Sequence, residues 1–147
     1  MSNANHLIVI LAKQIYNSPV AAESSAVFII LMEVIILDDL LEKLKEYLKM
    51  DEEISYDEFS DFYNKLVTEL NQSFDALDQD ARIKALYICS VVQANAESRI
   101  KESKATAKSF KKMGAKCNFW KDAIKFHLGK SGMTSQEIEQ ATEKVSI

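Results

Sequence analysis

Residues that turn or break a polypeptide are scarce in this chain, which has three glycines and one proline among 147 residues. An all-β protein needs a turn about every ten residues, and glycine and proline are frequent in such turns. Apolar residues instead recur at spacings of three and four, as in Phe59, Phe62, Leu66 and Leu70. This is the period of an amphipathic helix. The sequence therefore predicts an all-α protein.

The composition, with 48% apolar and 27% charged residues, fits a single-domain helical bundle over residues 1–147. We expect about five to six helices, one of which is a long helix from Pro19 to about Met50. Its first half is apolar on nearly every side, so this long apolar helix should be central in the bundle or be covered by another chain. The other predicted helices cover residues 5–16, 55–77, 78–114, 118–128 and 134–145, with Ser55, Asp78 and Thr134 as N-caps, capping boxes to Glu58 and Glu137, and Gly114 as a C-cap.

Acidic and basic residues are segregated along the chain. Residues 1–80 carry sixteen Asp and Glu against five Lys, whereas residues 81–147 carry thirteen Lys and Arg against six Asp and Glu. The two net charges, −11 and +7, sum to a total of −4. Because opposite fields attract within one molecule or between copies, this polarity predicts binding to other protein, including a second copy.

The candidate protein interface lies on the long apolar helix. Uncovered apolar surface favours an interface, and the acidic residues that follow it would orient a basic partner. The candidate interface residues are Phe28, Ile29, Met32, Ile36, Asp38, Asp39, Glu42 and Glu46. The leading prediction is a non-enzymatic helical module of adaptor or regulatory type that self-associates as a homodimer or higher oligomer.

A basic ridge is the second candidate surface, because lysines recur at spacings of three and four between Lys101 and Lys116. Its residues are Arg99, Lys101, Lys104, Lys108, Lys111 and Lys112. An acidic protein surface, nucleic acid and plain solvent are the three interpretations of such a ridge. A nucleic-acid-associated protein is therefore the alternative function, although the ridge is poor in aromatic residues and the acidic first half would repel a long duplex.

Glu33 is the single carboxylate within a run of eleven apolar residues. An unpaired buried carboxylate is costly, so Glu33 should be protonated, paired with a lysine of the basic half, or at the least buried edge of its helix. A metal- or carboxylate-dependent site around Glu33 is the third hypothesis. A di-iron bundle also requires Glu-x-x-His pairs, and the sequence contains none. We predict no catalytic residue, no metal ligand and no cofactor.

The segment Asp51-Glu-Glu-Ile-Ser-Tyr-Asp-Glu-Phe59 resembles the latter part of an EF-hand loop, with Ser55 and Glu58 at its ninth and twelfth positions. The first oxygen ligands and the turn glycine are missing, so the resemblance implies no calcium ligands. This acidic loop and Asp80-Ala-Arg-Ile-Lys-Ala-Leu86 also resemble TerB-type helical modules over residues 26–113. That resemblance implies a helical fold, but lysine-rich sequence replaces the family's second acidic loop, and no metal-linked role is carried over.

Three further features bear on the cellular compartment. Cys89 and Cys117 are 28 residues apart, and two such cysteines are too few for a disulfide framework or a zinc site. We expect them to be small buried apolar residues in a reducing compartment. The apolar residues 7–12 lack the preceding basic residues of a signal peptide. Residues 26–37 are too short for a membrane span, which needs about 20 apolar residues. We expect no membrane span and a cytoplasmic protein.

Overall fold

The computed structural model describes residues 21–147, except for the side chains of residues 21–26 and Ile30. These residues form five α-helices and no strand, which confirms the all-α fold. The predicted helix over residues 5–16 lies outside the described part of the chain. The helices are α1 (Ala21–Leu48), α2 (Tyr56–Ser73), α3 (Gln79–Arg99), α4 (Lys104–Lys130) and α5 (Ser135–Val145), with one 3-10 turn at Phe74–Ala76.

Two of the predicted helix starts are confirmed by their capping hydrogen bonds. The Asp78 carboxylate accepts a 2.8 Å hydrogen bond from the Ala81 amide at the start of α3. At the start of α5, the Thr134 hydroxyl accepts from the Glu137 amide while the Glu137 carboxylate accepts from the Thr134 amide. Each cap satisfies backbone donors that the first turn of a helix leaves without partners.

The capping box predicted at the start of α2 is only half formed. The Ser55 hydroxyl accepts from the Glu58 amide at 3.1 Å, as predicted. The Glu58 carboxylate does not return to the Ser55 backbone, because it accepts a 2.8 Å hydrogen bond from the Tyr47 hydroxyl at the end of α1. Burial and this hydrogen bond raise the pKa of Tyr47 to about 12. Glu58 therefore joins α1 to α2.

The boundary predicted between the helix over residues 78–114 and the helix over residues 118–128 was wrong. The chain leaves α3 after Arg99 and enters α4 at Lys104, and the Ser103 hydroxyl caps α4 by accepting from the Ala105 amide. Gly114 lies inside α4 and is buried against α3, where a Cβ atom would lie 3.4 Å from Glu97 Cγ. Tertiary packing thus offsets the weak helix propensity of glycine, which is about 1 kcal/mol below that of alanine.

The central helix of the bundle is α3, which packs against α1, α4 and α5. Its buried side chains point in several directions, and they are Ala81, Ile83, Ala85, Leu86, Ile88, Cys89, Val92, Ala96 and Arg99. The expectation of a long apolar helix at the centre is not confirmed. Only the second half of α1 joins the core tightly, through Leu37, Leu40, Leu41 and Leu44.

The two cysteines are buried and unbridged, on the facing helices α3 and α4. A hydrogen bond between the thiols raises the pKa of Cys89 well above its usual value, and burial adds to the shift. The same hydrogen bond lowers the pKa of Cys117. The predicted burial of both residues is confirmed, and the reducing compartment stays a prediction.

Candidate interaction surfaces

The first half of α1 exposes large apolar side chains on two sides. Val27 is 58% exposed, and Leu31, one turn later on the same side, is 52% exposed. Ile29 is also 52% exposed, and its offset of about 200° from Val27 places it on the other side of the helix. Among residues 21–147, none of the helices is long and apolar enough to cross a bilayer. The exposed apolar residues Val27, Ile29 and Leu31 make this part of α1 a candidate interaction surface.

The predicted apolar interface residues differ in how exposed they are. Ile29 is exposed, whereas Phe28, Met32 and Ile36 are half-buried. Val27 and Leu31 were not among the predicted interface residues. The sequence signal that could have found them is their spacing of four, which places both on one side of the apolar first half of α1.

The acidic residues predicted for this interface are partly engaged within the molecule. Asp38 accepts a 2.8 Å hydrogen bond from Lys84 on α3. Glu46 pairs with Lys43 at 3.1 Å, one turn earlier on α1. Asp39 and Glu42 are exposed and form no ion pair with any described residue. Asp39 and Glu42 are therefore the acidic groups of α1 best placed to meet a partner.

Glu33 is buried, so the interpretation that placed it at an exposed edge was wrong. It is 8% exposed and faces α2, where Glu69 is 5% exposed. One oxygen of each carboxyl, Glu33 Oε2 and Glu69 Oε1, has no hydrogen-bond partner. Burial raises the pKa of Glu69; a hydrogen bond from Ser73 opposes this shift, and the neighbouring charge of Glu33 adds to it.

No lysine pairs with Glu33 in the described part of the chain. Glu69 is a second carboxyl group close enough to interact with Glu33. However, within residues 21–147 no group of three or more His, Cys, Asp or Glu side chains is arranged to hold a metal ion. Burial of Glu69 beside the Glu33 carboxyl favours the protonated form of Glu69.

Two open clefts lie beside these helices. The groove between α1 and α2 encloses about 1100 Å³ and has Glu69 in its wall. The cleft between α3, α4 and α5 encloses about 710 Å³, with Lys121 and Lys125 on one rim and Glu139 and Glu143 on the other. Charges of both signs line each cleft, so neither cleft selects one class of ligand by charge.

The predicted basic ridge is exposed, except for Arg99. The lysines 101, 104, 108, 111 and 112 are exposed and form no ion pair with any described residue. Arg99 is 8% exposed, and its guanidinium lies 4.9 Å from the ring centroid of Phe110. It also pairs with Glu102 at 3.1 Å and, more weakly, with Glu53 at 3.7 Å. Arg99 is a packing residue and does not belong to the ridge.

Two exposed aromatic residues lie on the same helix as the ridge. Phe119 is 56% exposed and Phe126 is 63% exposed. Lys116 Nζ lies 5.0 Å from the ring centroid of Phe119, and Lys130 Nζ lies 5.4 Å from that of Phe126. The sequence interpretation missed this arrangement because it ended a helix at Gly114 and so separated the ridge from the aromatic residues.

No family model, curated protein or solved structure matches this chain. The resemblance to TerB-type modules therefore stays a prediction. Two residues that carried the EF-hand resemblance have partners within the protein, since Ser55 caps α2 and Glu58 accepts from Tyr47.

Proposed function

We propose that the protein is a non-enzymatic helical interaction module, of adaptor or regulatory type, that self-associates through the first half of α1. The observation that carries this proposal is the exposure of Val27, Ile29 and Leu31, each by more than half, on two sides of one helix. Fully burying one such side chain is worth about 1.5–3 kcal/mol. Covering the exposed halves of all three would contribute roughly 3 kcal/mol to association.

The opposite charges of α1 and α4 would orient the partner more than they would strengthen its binding. Asp39 and Glu42 follow the apolar stretch on α1, and the free lysines of α4 provide the opposite sign. Complementary fields mainly raise association rates and exclude wrong partners. Added salt should therefore slow association while leaving the apolar contact in place. A cytoplasmic location stays a prediction that accompanies this proposal.

Sedimentation velocity over a concentration series, at low and high salt, tests the proposal. We expect the wild-type protein to exceed its chain mass of 16.6 kDa as concentration rises. Leu31→Glu and Ile29→Glu should shift it to monomer, because a carboxylate cannot be buried unpaired in the contact. Leu48→Glu is the matched control, since Leu48 is an equally exposed apolar residue, at 51%, at the opposite end of α1.

Two results would contradict the proposal. The first is a wild-type protein that stays monomeric at every concentration and ionic strength. The second is equal dissociation by Leu48→Glu and Leu31→Glu, which would place the contact elsewhere or make it non-specific. Circular dichroism of each variant checks that the helices are retained.

A further inference from the structure

A single uninterrupted helix places basic and aromatic side chains on one face. α4 buries Phe110, Cys117 and Ile124 on the side that packs against the bundle. At 3.6 residues per turn, the opposite side carries a different set of residues. They are Lys104, Lys108, Lys111, Lys112, Phe119, Phe126 and Lys130, all exposed, and this set is here named the outer face of α4.

The charge of α4 opposes the charge of the whole protein. The helix contains eight lysines and one carboxylate, Asp122, whereas the chain carries −4 overall. None of the outer-face lysines forms an ion pair with another of the described residues. Their positive field is therefore not cancelled by direct pairing, and it can attract an anionic partner to this helix.

The aromatic rings add a second kind of contact. Phe119 and Phe126 are seven residues apart, so they lie about 10.5 Å apart along the helix axis. Each ring has a lysine ammonium close to it, at 5.0 Å for Lys116 and 5.4 Å for Lys130. Flat rings flanked by cations are the elements that bind the bases and the backbone of a single strand.

The surroundings of the outer face favour a narrow partner. Tyr56 at the start of α2 shares a 2.7 Å hydrogen bond with Ser109 on α4. The exposed carboxylate of Asp57 follows Tyr56 directly and puts negative charge near this end of α4, whereas Glu58 accepts from Tyr47 on α1. A duplex is wide enough to meet that charge, whereas a single strand can follow the helix without doing so.

Asp122 argues against an anionic membrane as the partner. It is exposed on α4 between Phe119 and Phe126. Inserting both rings into a lipid surface would bury this carboxylate, which is costly. Separate bases can stack on the two rings while Asp122 stays in water. From these observations we infer that the outer face of α4 binds single-stranded nucleic acid, with lysines contacting phosphates and Phe119 and Phe126 stacking on bases.

Fluorescence anisotropy with a labelled oligothymidylate of about 16 nucleotides tests this inference. We expect binding at low salt whose logarithm falls linearly with the logarithm of salt concentration. Changing Lys104, Lys108 and Lys111 together to Gln should weaken binding and reduce the magnitude of the salt slope by about 2. Lys144→Gln, an exposed lysine change on α5, is the matched control and should leave both quantities unchanged.

Substitution of the rings separates stacking from charge. The double variant Phe119→Leu and Phe126→Leu should weaken binding by about tenfold or more while leaving the salt slope unchanged. Trp120, the single tryptophan of the chain, lies 5.4 Å from Phe119 between ring centroids, so its fluorescence reports a base at that ring. Its emission should change on binding in the wild-type protein and change less in the double variant.

Three outcomes would overturn the inference. They are no binding of the oligothymidylate at low salt, equal binding of a duplex with no effect of the ring substitutions, and binding of phosphatidylserine vesicles without binding of the oligonucleotide. Leu31→Glu, which removes the apolar contact of α1, should still bind the oligonucleotide as the wild-type protein does, so the two proposals can fail separately.

Discussion

Lys84 on α3 donates a 2.8 Å hydrogen bond to Asp38 on α1, across 46 positions of the sequence. The same ammonium lies 2.9 Å from Asp80, one turn earlier on α3. Among residues 21–147, the pair of Lys84 with Asp38 is the shortest ion pair between the basic second half of the chain and the acidic first half. Burial of Lys84 opposes its charge, but the two carboxylates outweigh that cost and raise the pKa of Lys84.

We expect Lys84→Met to lower the free energy of unfolding by about 1 kcal/mol, with a smaller loss at high salt. Because the folded-state pKa is raised, this stabilisation is complete below pH 10.5 and is lost as pH rises through the folded-state value. Urea unfolding of the wild-type protein and of Lys84→Met at two salt concentrations measures this loss of stability. Lys65→Met, an exposed and unpaired lysine on α2, is the control, and an equal loss there would contradict the assignment.

Glu69 should make the protein less stable as pH rises. Its pKa is raised in the folded state, so folding retains a proton that the unfolded chain releases near pH 4.5. The contribution is complete below that pH and is lost as pH rises through the folded-state pKa. The matched comparison is Glu69→Gln against Glu42→Gln, an exposed carboxylate on α1.

Urea unfolding between about pH 4 and pH 8 should show this component in the wild-type protein and in Glu42→Gln, and not in Glu69→Gln. Glu33→Gln should weaken it, because the charge that adds to the shift is removed. An unchanged pH dependence in Glu69→Gln would show that the pair with Glu33 does not control this part of the stability.

Gly114→Ala should stabilise the protein by about 0.5–1 kcal/mol, because it removes a glycine from the interior of α4. The added Cβ would lie 3.4 Å from Glu97 Cγ and 4.0 Å from Ala96 Cβ, which are ordinary contacts. Gly132→Ala should act oppositely, since Gly132 has a φ of 102° that disfavours a side chain. Thermal unfolding of both variants checks the signs, and a destabilised Gly114→Ala would mean that α3 and α4 are packed too closely there.

Arg99→Ala should destabilise the protein by about 2–3 kcal/mol, because it removes a nearly buried side chain that packs on aromatic rings and leaves Glu102 without its partner. Arg99→Lys should recover only part of this loss, since an ammonium does not stack as a guanidinium does. The neighbouring Lys101→Ala is the control and should change stability by less than about 0.5 kcal/mol. Denaturant unfolding measures both losses. Similar losses at the two positions would contradict the assignment of Arg99 as a packing residue.

The features predicted correctly from sequence are those that neighbouring residues determine. Asp78 and Thr134 cap helices because their partners lie three residues away, and a pattern of that length is visible in the sequence. Glu58, Gly114 and Arg99 were misinterpreted because each interacts with a residue of another helix. Glu58 accepts a hydrogen bond from Tyr47, and Gly114 packs against α3. The guanidinium of Arg99 packs on the ring of Phe110.

The candidate surfaces follow the same division. The exposure of the ridge lysines was predictable from their spacing alone, whereas the addition of Phe119 and Phe126 depended on where α4 begins and ends. Likewise, the apolar character of α1 was evident, but its place outside the centre depended on α3 filling that position. Burial of Glu33 against Glu69 required the pairing of α1 with α2, which no local pattern specifies.

The position of α3 also bears on how quickly the chain reaches its native state. It packs most extensively against α4, the next helix along the sequence, whereas α1 packs against both α2 and α3. Partners that are close in sequence lose little loop entropy when they meet. Stopped-flow refolding should therefore finish within about milliseconds, and the docking of α1 on α3 should be the step that responds to substitution at Leu37.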